Sequence, residues 1–331
     1  MNSSQKVLDL PNSRLFNIDA RVWVWIILGW FVALTIHVLA FSRGHFIAQS
    51  KGQFLLLSPS GLRTASETNL SDNLLPEYNS FNATSSLPAS YNIWLQDFAR
   101  PVTNLVLDQG PYGSCTANAL AYAWLLHMNK LNTGRVPVQI PSRMFWYAQA
   151  RIYLNNQNGH SSAKLQDTGA YVSDIAWVPE TLGSLPEVLY PYTAANLNAI
   201  PNVLVPPCDE AIKHKMSTDT LNPFQFSNNA LITAQNIMAI LASNKCLLIG
   251  ILMYSSFMNS TTLRTGVIPL PNTRTETLLG GHCICLTGYN SITQYFTFKN
   301  SWGSEVGMAG TFFIPYAYIC NIYLTGDAQV F

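Results

Sequence analysis

The chain has 331 residues, enough for one large domain or two modest ones, and a formal net charge of +1 with no run of Lys or Arg. That balance argues against nucleic acid as a main partner. Apolar residues make up 48% and charged residues only 11%, against about 25% charged in an ordinary soluble domain, so part of the chain is expected to meet lipid.

Residues 1–21 are polar and mixed in charge, without an interpretable pattern. Val22 to Ser42 is a run of 21 residues with no charge, flanked by Arg21 and Arg43. A helix of that length spans a bilayer core, and Trp23 and Trp25 near its first end suit an interfacial belt. A signal peptide has an apolar stretch of only about 7–15 residues. Ala40 and Ser42 could mark a cleavage site, but the length favours a retained single-pass anchor. Basic residues on both flanks leave its orientation open. Residues 43–86, rich in Ser, Asn and Leu and broken by Pro59 and Pro76, read as a linker. Glycosylation sequons at Asn69, Asn82 and Asn259 do not settle the orientation.

From Asp108 to Leu120 the chain reads Asp-Gln-Gly-Pro-Tyr-Gly-Ser-Cys-Thr-Ala-Asn-Ala-Leu. Gly110, Pro111 and Gly113 are turn residues. Good helix formers follow from Thr116, so Cys115 stands at or near the N-terminus of a helix running to about Asn129. There the positive end of the helix dipole favours thiolate over thiol, and Ser114 can accept from the free N–H groups of the first turn. Gln109 lies six residues upstream, across the turn, and its side-chain amide can fold back to donate to an oxyanion. Ala117, Ala119, Ala121 and Ala123 permit close packing, as in a central helix buried between two lobes.

Pro141 suits the first turn of a second helix. Asp167-Thr-Gly-Ala opens a third, ending near Pro179, with Asp167 or Thr168 as a plausible N-cap. Asp209 to Met216 reads as a short helix. Thr233 caps a helix to Asn244, with Ile237, Ile240 and Leu241 on one face. Strand-like runs follow at Leu247–Tyr254, Cys283–Tyr289, Tyr295–Lys299 and Thr311–Ile314, separated by turn residues. A helical half followed by an antiparallel-sheet half is an α+β arrangement, and a cleft between two such lobes is a natural substrate site.

The six cysteines (Cys115, Cys208, Cys246, Cys283, Cys285 and Cys320) form no Cys-x-x-Cys pair, so neither a structural zinc site nor a disulfide framework is expected. Cys283 and Cys285 alternate within an apolar strand and read as core. A thiolate nucleophile needs a proton partner. His37 falls in the apolar run and His127 about three turns along the nucleophile's own helix. His45, His160 and His214 lack supporting context. His282, in Gly280-Gly281-His282-Cys283-Ile284-Cys285, begins an apolar strand beside two glycines that leave room.

These segments resemble papain-like cysteine proteases. That family pairs an oxyanion Gln with a nucleophilic Cys six residues later, as at Gln109 and Cys115. Its catalytic-His strand carries a downstream Gly-Tyr, as at Gly288-Tyr289, and its Asn-Ser-Trp-Gly motif matches Asn300-Ser301-Trp302-Gly303, continued by Gly307 and Gly310. Leu87-Pro-Ala-Ser-Tyr-Asn-Ile-Trp resembles the start of the family's mature part, and Leu182-Gly-Ser-Leu-Pro-Glu with Tyr190-Pro-Tyr its connection out of the helical lobe. The chain departs from the plant and lysosomal branch: Thr116 stands where that branch has Trp, and Tyr112 where it has a disulfide-forming Cys. The Gly-Ser-Cys-Thr-Ala-Asn-Ala wording is closer to the branch of bacteria and large DNA viruses. The 167 residues from Cys115 to His282 exceed the usual figure of about 130–150, so longer loops are expected at Tyr153–Lys164 and Arg264–Leu279.

The resemblance covers residues 87–331. It implies a two-lobed fold, a helical lobe and an antiparallel β-barrel-like lobe; ahead of it, outside the resemblance, the chain reads as a tail (1–21), an anchor (22–42) and a linker (43–86). It implies hydrolysis of a polypeptide substrate with no cofactor and no metal. In it Cys115 is the nucleophile, His282 the acid–base partner and Gln109 the oxyanion donor. Asn300 orients the imidazole, Trp302 covers that bond, and Gly169 pairs with the substrate backbone. A transpeptidase or ligase would use the same residues, and an inactive binding protein of this fold is the non-enzymatic alternative. With the anchor, the protein is expected in a viral or host membrane.

Overall fold

The computed structural model describes residues 87–132, 139–157, 167–193, 222–224 and 233–331. Residues 1–86, with the predicted tail, anchor, linker and the sequons at Asn69 and Asn82, lie outside the described residues. So do Cys208, the predicted helix Asp209–Met216, and most of the loop predicted at Tyr153–Lys164. Among the described residues no helix is long and apolar enough to cross a membrane.

The helical part consists of α1 (Cys115–Asn132), α2 (Arg143–Gln157) and α3 (Val172–Thr181). The alanine row that predicted close packing is buried along α1, with Ala117, Ala121 and Ala123 fully enclosed. Trp124 of α1 meets Trp146 of α2 edge to face at 5.5 Å, and α1 packs against the sheet. α3 begins later than expected. Tyr171 precedes it without a side-chain cap, because the Asp167 carboxylate is taken elsewhere: it accepts from the Gly113 N–H at 2.9 Å and the Tyr147 hydroxyl at 2.6 Å.

The second half carries α4 (Ala234–Ala242) and then the sheet. Thr233 caps α4 as predicted, its hydroxyl accepting from Asn236 N–H at 3.2 Å. The strands are β1 (Ser90–Asn92), β2 (Asn222–Phe224), β3 (Leu247–Tyr254), β4 (Leu278–Asn290), β5 (Tyr295–Lys299), β6 (Thr311–Pro315) and β7 (Thr325–Val330). All pairings among these strands are antiparallel. The order is β2-β7-β3-β4-β5-β6, with β1 on β4, so the expected barrel-like lobe takes the form of a seven-stranded antiparallel sheet. Two short helices, α5 (Ser260–Thr265) and α6 (Tyr316–Ile319), fill connections. Arg264, expected in a loop, lies in α5.

β4 is the longest strand and the axis of this half. It extends four residues before His282, so His282 sits within the strand rather than at its start. Cys283 and Cys285 are buried and unbridged, as their alternation implied. Where β1 crosses β4, Asn92 pairs with Gly288, and a Cβ at Gly288 would lie 2.7 Å from the Tyr91 carbonyl oxygen. The glycine of the Gly-Tyr pair is thus required by the close approach of two backbones.

Candidate active site

Cys115 is the first residue of α1 and 6% exposed. Burial pushes its thiol up to about 11, against the pull of backbone groups at Cys283, Thr116 and Cys115 itself; the Asp167 charge raises it further. The helix N-terminus alone therefore does not make a thiolate here. The contact with the Cys283 backbone brings the nucleophile candidate to the strand that carries His282. Ser114 does not serve as the simple cap expected. Its hydroxyl is bonded to the Tyr192 hydroxyl and accepts from Asn118 Nδ2 at 3.2 Å.

His282 is 1% exposed, and its Nε2 lies 2.9 Å from Asn300 Oδ1. That oxygen also accepts from the Ser301 N–H at 2.9 Å, which fixes the amide's orientation. An amide oxygen only accepts, so Nε2 carries a proton and Nδ1 is the basic atom of the neutral ring. Asn300 is itself held by its backbone. Its N–H donates to Gly310 O at 2.8 Å and its carbonyl accepts from the Tyr122 hydroxyl of α1 at 3.0 Å. A side chain at Gly310, where φ is 79°, would strike Val106 at 2.4 Å. The Trp302 ring lies over His282 at 5.2 Å between centroids, tilted by 31°, and Phe257 meets the Trp302 ring edge to face at 5.8 Å.

Gln109 is fully buried and bonded to the segment 300–303 that follows β5. Its Oε1 accepts from the Ser301 hydroxyl at 2.6 Å, its N–H donates to Ser301 O at 2.8 Å, and its Nε2 donates to Tyr112 O at 2.8 Å. Oε1 is fixed by the hydroxyl, so the amide's second N–H remains for an oxyanion. Ser301 was present in the matched motif without a role; its place beside Gln109 shows only once the two segments meet. Gly169 differs from expectation. It has φ of 82°, its N–H donates to the Tyr147 hydroxyl at 3.0 Å, and its carbonyl accepts from Arg151 Nη1 at 2.7 Å. The N–H is thus taken by Tyr147, while the carbonyl has one of its two acceptor positions filled. Nothing in the sequence around Gly169 signals this, because both partners come from α2.

Residues 164–326 match the sequence model described as papain family cysteine protease. The match includes His282 and Asn300 and begins after Cys115. An uncharacterized peptidase C1-like protein of Acanthamoeba polyphaga mimivirus is 29% identical over 224 residues, 67% of each chain. Xylellain, a cysteine protease from Xylella fastidiosa, superposes with a TM-score of 0.62 at 28% identity, covering 80% of this chain and 92% of its own. The digestive procathepsin L 3 of Tenebrio molitor larval midgut shares the fold at 17% identity, with a TM-score of 0.51 over 75% of this chain and 70% of its own. The family match, the viral relative and the fold together support a papain-like cysteine protease.

Proposed function

We propose that the chain hydrolyses peptide bonds through Cys115, His282 and Asn300, with Gln109 as side-chain oxyanion donor. The observation that carries this reading is the buried His282–Asn300 pair at 2.9 Å, with His282 on the strand whose next residue, Cys283, contacts the Cys115 thiol through its backbone. Cys115 Sγ attacks the scissile carbonyl as its proton passes to His282 Nδ1. The oxyanion receives Gln109 Nε2 and the Cys115 N–H. His282 then gives its proton to the leaving amine, and as a neutral base it activates water for deacylation. Asn300 keeps Nε2 protonated and the ring aimed, and Trp302 shields that bond. The polypeptide-cleaving domain begins near residue 87. The anchor at 22–42 holds it as a single-pass protein of a viral or host membrane, a reading that rests on the uncharged run alone.

Labelling by an epoxysuccinyl thiol-protease probe, comparing the native chain with Cys115→Ser, tests the nucleophile. Labelling of the native chain at Cys115, lost in the variant, is expected. A native chain that resists the probe and cleaves no peptide is instead a binding protein of this fold. Product in which an added amine replaces water would indicate a transpeptidase.

A further inference from the structure

The loop before α1 has four of its carbonyl groups, those of Asp108, Gln109, Tyr112 and Ser114, held by hydrogen bonds. Between Asp108 and Ser114 a freed carbonyl could turn toward the developing negative charge and oppose it. The Tyr112 carbonyl is held by Gln109 Nε2 at 2.8 Å. The Gln109 carbonyl accepts from the Tyr192 hydroxyl at 2.9 Å, and the same hydroxyl engages Ser114 Oγ. Asn118 Nδ2 holds the Ser114 carbonyl at 2.9 Å. Beneath these lies Arg143, 6% exposed. Its Nη1 donates to the Asp108 carbonyl at 3.0 Å and to Asn118 Oδ1 at 2.7 Å. Its guanidinium carbon sits 4.2 Å from the centre of the Tyr192 ring. Nε and Nη2 are fixed in turn by a bidentate pair with Glu187, both at 2.8 Å.

One planar cation therefore touches the residue before Gln109, the helix residue three after Cys115, and the ring whose hydroxyl holds Gln109. A lysine could not make these contacts together, because it lacks the fork. Neither Tyr192 nor Arg143 is in contact with the Cys115 thiol or with His282 through any bond described above. We infer that Tyr192 and Arg143 are positioning residues for the oxyanion site. They hold the Gln109 amide and the Cys115 N–H at the separation the tetrahedral oxyanion needs and leave the thiol's own reactivity alone. This rests on the roles given above to Cys115 and Gln109.

Tyr192→Phe is the decisive variant, since it keeps the ring over Arg143 and removes only the hydroxyl. With a peptide anilide, kcat should fall about 10-fold with KM within about twofold, less than the ~10²–10³ lost with a whole oxyanion donor. Affinity for a peptide aldehyde, which forms an oxyanion on the thiol, should fall by the same factor. Iodoacetamide alkylation of Cys115 develops no oxyanion and should keep its native rate and pH profile. In a Gln109→Ala background, Tyr192→Phe should cost little more. Arg143→Lys should act on kcat in the same direction while also lowering the melting temperature. Equal losses of hydrolysis and alkylation would show a merely structural role and overturn the inference. An undiminished loss in the Gln109→Ala background, or a Tyr192→Phe enzyme native in every measure, would overturn it as well. Failure of the underlying reading looks different: the native chain itself would not be labelled at Cys115.

Discussion

Burial of Cys115 sets the terms on which it can react. With its thiol pushed up to about 11, only about one molecule in 10⁴ would carry the thiolate near pH 7 if nothing else acted. A proton acceptor at the thiol is therefore required, and an imidazolium formed there lowers the same pKa by attraction. The sign follows. A neighbouring cation moves alkylation of Cys115 toward lower pH, and its removal moves it toward higher pH. His282→Ala should displace the iodoacetamide profile of Cys115 to alkaline pH, toward the value burial alone imposes. Coincident profiles for native and variant chains would mean that His282 does not reach the thiol. In the proposed triad Asn300 lies one bond further from the thiol, against His282 Nε2. Asn300→Ala should lower kcat by about 10- to 100-fold and leave activity measurable, less than the ~10²–10⁴ attributable to the acid–base group itself. Trp302→Ala should act in the same direction by admitting water to the His282–Asn300 bond. Native rates for both variants on a peptide substrate would remove Asn300 from the proposed triad. These residues were legible because each rides on a short local pattern: a thiol after a turn, a histidine in an apolar strand, an Asn-Ser-Trp-Gly run. The occupancy of Gly169 and the diversion of Asp167 were not legible. Both depend on Tyr147, which α2 brings in from 20 residues before Asp167.

At the level of elements, what the sequence shows is what periodicity can carry. β3 and β5 have the predicted bounds, and α1 and α4 fall within a few residues of theirs. β1 and β7 have no such signal. Ser-Tyr-Asn is polar and short, and Thr-Gly-Asp-Ala-Gln-Val contains two poor strand formers. They are strands because a neighbour dictates it: β1 is registered on Tyr289 and Gly288, and β7 on Leu247 and Leu248. That dependence makes a stability prediction at Gly288. A methyl group there meets the Tyr91 carbonyl at 2.7 Å and the Asn92 Cα at 3.1 Å, both backbone atoms with little room to retreat. Gly288→Ala should destabilise the domain by about 1–3 kcal/mol through overpacking, read as a lowered urea midpoint with unchanged slope. It should also loosen β1, so protection of the Tyr91 amide region in hydrogen exchange should fall more than that of β3. An unchanged midpoint would mean that β1 yields without cost.

For the whole molecule, the composition, 48% apolar with 11% charged residues, is more apolar than a catalytic domain with a buried core requires. A core explains part of the apolar share, but an ordinary domain still carries more surface charge. The 21 residues from Val22 to Ser42 would rise about 30 Å as a helix, the thickness of a bilayer's hydrocarbon. A retained anchor has two consequences that a cleaved leader lacks. The chain should stay in the pellet after alkaline carbonate extraction, and its mature N-terminus should precede Val22. Release into the supernatant, or an N-terminus near Arg43, would remove the anchor. Val32→Lys combined with Leu34→Lys provides a control on cause, since each buried charge costs insertion about 2.5–3.5 kcal/mol at a helix centre. The doubly substituted chain should leave the membrane while epoxysuccinyl labelling at Cys115 persists. The side on which the domain lies is readable through Asn259, an exposed sequon residue whose Oδ1 accepts from Thr262 N–H at 2.7 Å at the start of α5. A mobility shift reversed by a glycosidase and abolished by Asn259→Gln would put the cleft on the glycosylating side of the membrane, where the substrates it meets would also have to be.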